Sequence, residues 1–289
     1  MKRCFVKCPF SDSLSAFVCP FLSASSTILF FSSFCFPLFL LCAIFAAAMT
    51  IESIILLVLF VFGASFVQRT IGFGFGIFIM TMLPYLMPSY GEATMLSGLL
   101  AMVTSLIICI KLWKYIPWRK MVGMLVIFIV TSYVAIQFVS GLNNALLQRI
   151  LGVMLILSAL YFIFFSHRVR IRPSLSTQLS LGTLSGVMGG FFGMQGPPAV
   201  IYFLAVTDSK NTYTAMAQTY FLLGNILMAL FRAQTGCFTA EVAHSWCIGL
   251  PAVLLGTWVG GMVYEKIPMN LLRKMVYLYI ALSGLIALL

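Results

Sequence analysis

Charge is scarce in this chain of 289 residues, and negative charge is scarcest: 8% of the residues are charged, six acidic against seventeen Lys and Arg. A soluble domain carries about a quarter charged residues, so a soluble fold of this length is excluded. The six carboxylates, Asp12, Glu52, Glu92, Asp208, Glu241 and Glu265, all fall near segment ends or loops. None stands within a long apolar run, which argues against a proton relay across a membrane. Of the two histidines, His167 lies in a basic linker and His244 near a helix start. A rhomboid-like protease pairs a serine with a histidine on facing helices, and Ser185 has no such partner in the apolar segments. The eight cysteines form no C-x-x-C pair, which disfavours a thiol-redox carrier. No enzyme activity, catalytic residue, metal or cofactor is expected.

Apolar residues make up 62% of the chain, and the mean hydropathy is +1.10. Runs of about twenty apolar residues recur along it, each long enough to cross a bilayer as a helix. The runs are continuous rather than alternating, which excludes a transmembrane barrel. The class is an all-α polytopic membrane protein. The net charge of +11 does not indicate nucleic acid, because the basic residues gather in short loops. Lys111, Lys114, Arg119 and Lys120 form one group, Arg168, Arg170 and Arg172 a second, and Lys266, Arg273 and Lys274 a third. That is the positive-inside pattern, with the lipid bilayer as partner and a bacterial inner membrane as the expected location.

Residues 1–48 differ from the rest. They open with Lys2, Arg3 and Lys7, carry five cysteines, and end an apolar run in Ala46-Ala47-Ala48. Three readings stand: a signal-like leader, an extra membrane helix, or upstream sequence before a start at Met49. The third is favoured, since the chain after Met49 is complete by its own internal symmetry.

That symmetry is a repeat. Leu146–Leu160 reads LLQRILGVMLILSAL, and 125 positions on, Leu271–Leu285 reads LLRKMVYLYIALSGL. The stretch 49–165 forms one repeat, 166–176 a basic linker and 177–289 the second repeat, each with about five hydrophobic segments. An odd number of spans would invert the second half. The charges agree: the 111–120 loop and the linker read as cytoplasmic, and the 264–274 loop joins them. The uncharged turn at 141–144 and the 232–242 loop, with Arg232 and Glu241, read as external. Inverted repeats of this kind are an architecture of secondary transporters.

Each half carries its helix breakers inside an apolar segment: GFGFGIFIMTMLP at 72–84, and GGFFGMQGPP at 189–198. Irregular backbone at membrane depth is tolerated only where protein buries it or a cavity is lined by it. Two such breaks at corresponding places point to a substrate site near the bilayer midplane. Helix starts there suit an anion, through backbone N–H groups and the helix dipole. The candidate residues are Gly72, Gly74 and Gly76 in the first break, and Gly190, Gly193, Gln195, Gly196 and Pro197 in the second. Arg69, just before Gly72, is the nearest fixed positive charge, with an interfacial anchor as its plainer reading. Gln218 and Asn225 share one helix face and either line the path or hydrogen-bond between helices. Glycines also permit close helix packing, and a single cluster would be read that way.

These two motifs and the two-half layout resemble the sulfite exporter TauE/SafE family of membrane permeases over nearly everything after Met49. The resemblance implies a transporter of sulfite, sulfoacetate and other organosulfur or small organic anions. The residues themselves reach only a small anion, with an anion channel or a membrane assembly factor as alternatives. Where the family's second motif often runs G-x-F-G-x-G-G-P-P, Gln195 stands in place of a glycine.

Overall fold

A computed structural model describes residues 50–139, 174–207 and 209–268, with positions 146, 147, 150, 153, 271, 274, 275 and 278. The leader at 1–48, the last segment of each repeat and most of the basic linker lie outside the described residues. All the regular elements described are helical. In order they are α1 (Ile51–Ile71), α2 (Phe75–Ile79), α3 (Leu83–Leu86), α4 (Tyr90–Leu112), α5 (Trp118–Val139), α6 (Leu175–Phe192), α7 (Gly196–Val206), α8 (Lys210–Gln234) and α9 (Ala240–Lys266). A 3-10 turn, Trp113–Tyr115, prolongs α4.

Hydroxyl residues start four of these helices. Thr50, Ser89, Ser174 and Thr239 each accept a backbone N–H from the residue three further on, satisfying one of the donors a helix start leaves free. Glu52, Glu92 and Glu241 fall in the first turns of α1, α4 and α9, where a negative charge complements the dipole. Half of the chain's carboxylates are thereby accounted for as helix-starting residues.

Among the described residues five helices, α1, α4, α5, α8 and α9, are long and apolar enough to cross a membrane. Their outward side chains are apolar as well. Ile51, Ile55 and Leu59 of α1, and Val122, Val126 and Val130 of α5, recur every fourth residue and are exposed. On a helix that spacing makes one stripe, which a bilayer covers. The protein is an integral, multi-pass membrane protein.

Two of the ten expected segments take another form. The 72–87 segment divides into α2 and α3, of five and four residues. The 195–207 segment is α7, of eleven residues, about 16 Å long against the roughly 30 Å of a hydrocarbon core. Neither is a continuous span, because glycine and proline interrupt the ladder where the apolar run would have carried it on.

The long helices pack in pairs: α1 on α9, α5 on α6, and α4 on α8. In the first two pairs one partner supplies glycines. A Cβ at Gly190 of α6 would lie 2.5 Å from the Ala135 Cβ and 2.9 Å from the Ser132 carbonyl of α5. At Gly256 of α9 it would lie 2.5 Å from the Phe62 carbonyl of α1, and at Gly260 2.9 Å from that of Phe66. Only glycine allows backbones this close, which is how dispersion holds helices together where lipid removes the hydrophobic driving force. The α4–α8 pair is antiparallel, since Thr94 meets Arg232 at one end and Ser105 meets Gln218 further along.

Side-chain contacts also gather the termini. Lys120 donates to the Val206 carbonyl. Lys210 donates to those of Tyr264 and, at 2.6 Å, Ile267. The 111–120 loop, the start of α8 and the end of α9 therefore share one basic end of the bundle. At the other end Cys237 packs against Gly91. Arg232 corrects the expectation that placed it in the 232–242 loop: it belongs to the last turn of α8 and is buried.

The tight α5–α6 contact makes a direct test. Gly190→Ile should lower stability by about 1–3 kcal/mol through overpacking. Gly98→Ala, where the nearest atom to a Cβ is 3.9 Å away, should leave it unchanged or raised. Thermal unfolding in detergent reads both.

Candidate functional site

The first break begins where α1 ends. Gly72 takes φ 93° and returns its N–H to the Gln68 carbonyl at 2.8 Å. Two residues on, Gly74 takes φ 106° and starts α2. Both are left-handed conformations that a Cβ would penalise. The carbonyls freed at this helix end are met by α8. Gln218 Nε2 donates to the Gly72 carbonyl at 2.9 Å and the Tyr213 hydroxyl to that of Ile71 at 3.4 Å.

The second break follows α6. Gly193, at φ 67°, returns its N–H to the Gly189 carbonyl at 2.9 Å, and Met194 N–H reaches that of Met188 at 3.3 Å; the glycine's left-handed turn and its 5→1 bond make an αL-type ending. Arg232 holds it from outside. Its Nη2 donates to the carbonyls of Gly189 at 3.2 Å and Gly190 at 2.7 Å, and its Nη1 to the Thr94 hydroxyl. A cation at a helix C-terminus is favoured by the dipole and by the orphan carbonyls. The Ser185 hydroxyl donates to the Gln195 carbonyl at 2.6 Å and accepts from Tyr220 at 2.9 Å.

The two breaks touch. A Cβ at Gly76 would fall 2.5 Å from the Gly193 carbonyl oxygen. Beside this contact lies a cavity of about 30 Å³, room for about two water-sized groups. Gly74, Gly76, Gly193, Gln195, Gly196 and Asn225 line it. Gln68, Phe75, Ile77, Ala101, Met194 and Phe221 complete the lining. Ala101 and Phe221 stand near the middle of α4 and α8.

The other candidates stand back from the cavity. Gly72 offers its carbonyl to Gln218, and Gln218 accepts from Gln68 at 2.9 Å. Gly190 is held against α5 and by Arg232. Pro197 and Pro198 occupy the first turn of α7. Having no N–H, they leave the dipole of α7 in place but remove two donors from its start. Arg69 is buried, and its guanidinium carbon lies 4.6 Å from the Tyr264 ring centroid, with Lys210 Nζ 3.9 Å from the same centroid. Its Nη1 has no hydrogen-bond partner.

Gln68 and Arg232 are the polar residues sequence reasoning passed over. Gln68 stood in the same Gln-Arg-Thr stretch as Arg69, and the charge drew the attention. Arg232 looked like a loop charge because it sits two residues from the end of its helix.

The profile of the family described as Sulfite exporter TauE/SafE matches residues 56–286. This chain belongs to the sulfite exporter TauE/SafE family. The TauE/SafE match takes in both breaks and nearly all of α1 through α9. A curated relative, "Probable sulfite/organosulfonate exporter TauE" of Cupriavidus necator, is 22% identical over 201 residues, covering 68% of this chain and 78% of the relative. No solved structure matches the chain significantly. The family is one of membrane exporters, so the geometry above is read as that of a transporter.

Arg232 is testable as the clamp on the second break. Arg232→Met would leave the carbonyls of Gly189 and Gly190 without their donor. It should destabilise by about 1–3 kcal/mol, with only partial recovery in Arg232→Lys, which lacks the planar fork. Unfolding midpoints of the two variants check this.

Proposed function

We propose that this chain exports small anions, such as sulfite, sulfoacetate or related organosulfur and organic anions, and binds them between the two glycine breaks. The observation that carries the reading is the meeting of Gly76 with Gly193 beside a cavity at mid-height of α4 and α8. The name of the Cupriavidus necator relative supports the substrate class.

An inverted repeat gives this meeting its logic. Its halves are 49–165 and 177–289, joined by the 166–176 linker. The first long helix of each half packs on the fourth long segment of the other, α1 on α9 and α6 on α5, and the two third segments, α4 and α8, cross antiparallel at the centre. Such an exchange supports a two-fold relation in the membrane plane, with the site on the axis. The basic end is cytoplasmic, in the plasma membrane of a bacterium. There Arg69 and Lys210 flank one ring and draw anions toward the cavity. Gly72, Gly190, Pro197 and Gln218 shape the breaks. An anion leaving a negative-inside cell gains about 2.3 kcal/mol per charge per 100 mV, so export needs no coupling ion.

Cysteine labelling tests the orientation. Introduced at 114 and 238 on a cysteine-free background, thiols should react from opposite faces, the first cytoplasmic and the second external. Labelling from one face would remove the inverted arrangement.

Flux in liposomes tests the site. Gly193→Val puts a β-branched residue at φ 67° and should abolish anion efflux in protein that still inserts. Unchanged efflux in that variant would move the site elsewhere.

A further inference from the structure

The basic end of the bundle is short of counter-charge. Lys111, Lys114, Arg119 and Lys120 are exposed there, and Lys210 and Lys266 stand at the neighbouring ends of α8 and α9. The whole chain has six carboxylates. Glu52, Glu92 and Glu241 start helices at the opposite end. Among the described residues Glu265 is the one carboxylate at the basic end, and Asp12 and Asp208 lie outside the described residues. The chain's own carboxylates are too few to neutralise these cations, so their counter-anions come from outside it. The form of the 111–120 stretch says which anion. It reads KLWKYIPWRK. The Trp113–Tyr115 turn closes with the Ile116 N–H on the Trp113 carbonyl at 3.4 Å, and Ile116 packs against the core. With Ile116 turned in, Trp113, Tyr115 and Trp118 are turned out, 63%, 48% and 52% exposed. Three large rings are thus interleaved with the cations. A soluble phosphate would meet the cations and leave the rings in water. An anionic phospholipid covers both: its phosphodiester takes the charge, and its glycerol and upper acyl region take the rings, whose amphipathic edges favour that depth. A zwitterionic lipid covers the rings but brings no net charge.

We propose that the 111–120 stretch is a docking site for the headgroup of an anionic phospholipid. Lys111, Lys114 and Arg119 take the phosphate, the planar fork of Arg119 suiting two of its oxygens, and the three rings meet the lipid below it. Lys120 serves differently. Its Nζ donates to the Val206 carbonyl at 3.2 Å, and its own carbonyl accepts from the Tyr202 hydroxyl at 3.4 Å. Tyr202 in turn accepts from Gln178 Nε2 at 2.7 Å. The docking site is thereby joined to α7 and α6, the two helices of the second break, and a bound lipid braces them.

Tryptophan quenching by brominated lipid reads the site on the full chain. Of the four tryptophans, Trp258 is exposed and Trp246 Nε1 makes no hydrogen bond, so phenylalanine replaces both and leaves Trp113 and Trp118 as reporters. The protein is placed in bilayers of phosphatidylglycerol and phosphatidylcholine in equal parts, with one lipid or the other brominated. At low ionic strength phosphatidylglycerol should associate with the reporters about tenfold more strongly or better. Lys111→Gln, Lys114→Gln and Arg119→Gln should each cost about fivefold, and the three together should bring the preference near one. Glycerophosphoglycerol, the same headgroup without acyl chains, should not compete. In detergent, added phosphatidylglycerol should raise the unfolding midpoint of the unsubstituted chain above that with phosphatidylcholine. Equal association of the two lipids overturns the proposal, as does a preference that survives the triple substitution. Competition by glycerophosphoglycerol would make this a site for a free phosphodiester and overturn the lipid assignment. An unfolding midpoint that phosphatidylglycerol does not raise would remove the bracing of α6 and α7.

Discussion

A backbone that leaves the helix inside an apolar bundle must find its hydrogen-bond partners in protein, and the rest of this structure is arranged around that requirement. The partners come chiefly from one helix. From α8, Tyr213 and Gln218 meet the end of α1, while Tyr220 and Arg232 reach the second break, directly or through Ser185. This explains why α8, although a span, carries so many buried polar side chains. Its buried face includes Gln218, Thr219, Asn225 and Arg232. A span facing lipid on all sides would not tolerate them.

Glycine serves two ends here that sequence alone does not separate. At Gly72, Gly74 and Gly193 it supplies positive φ. At Gly190, Gly256 and Gly260 it supplies absence of volume, so that α6 closes on α5 and α9 on α1. Gly76 belongs to the second kind, although it lies within a break motif: its φ is not positive, and what a side chain would meet is the Gly193 carbonyl. The second kind builds the frame, and the first places two chain reversals inside it. A rigid frame around irregular segments suits a transporter, in which a small site must be held while its surroundings move.

The cavity beside the two breaks is lined by polar side chains without a charged one. The cations sit elsewhere: Arg232 is spent on carbonyls and Thr94, and Arg69 lies with Lys210 over Tyr264 at the basic end.

The sequence by itself determined the class, an all-α, multi-pass membrane protein, for composition and the length of apolar runs permit no soluble fold or barrel. It also marked the glycine clusters as places where a helix is costly. It did not determine where the chain goes after each cluster. The contact of Gly76 with Gly193 joins residues 117 positions apart, and no local preference encodes it. Nor did it separate Gln68 from Arg69, adjacent on one helix but turned by about 100°, so that one lines the cavity and the other stacks on an aromatic ring. Arg232 is the clearest case. In sequence it is a charge near a loop, and only the packing of α4 and α6 against α8 makes it an interior clamp. Side-chain identity set what each group can donate or accept, and tertiary structure decided which groups found partners.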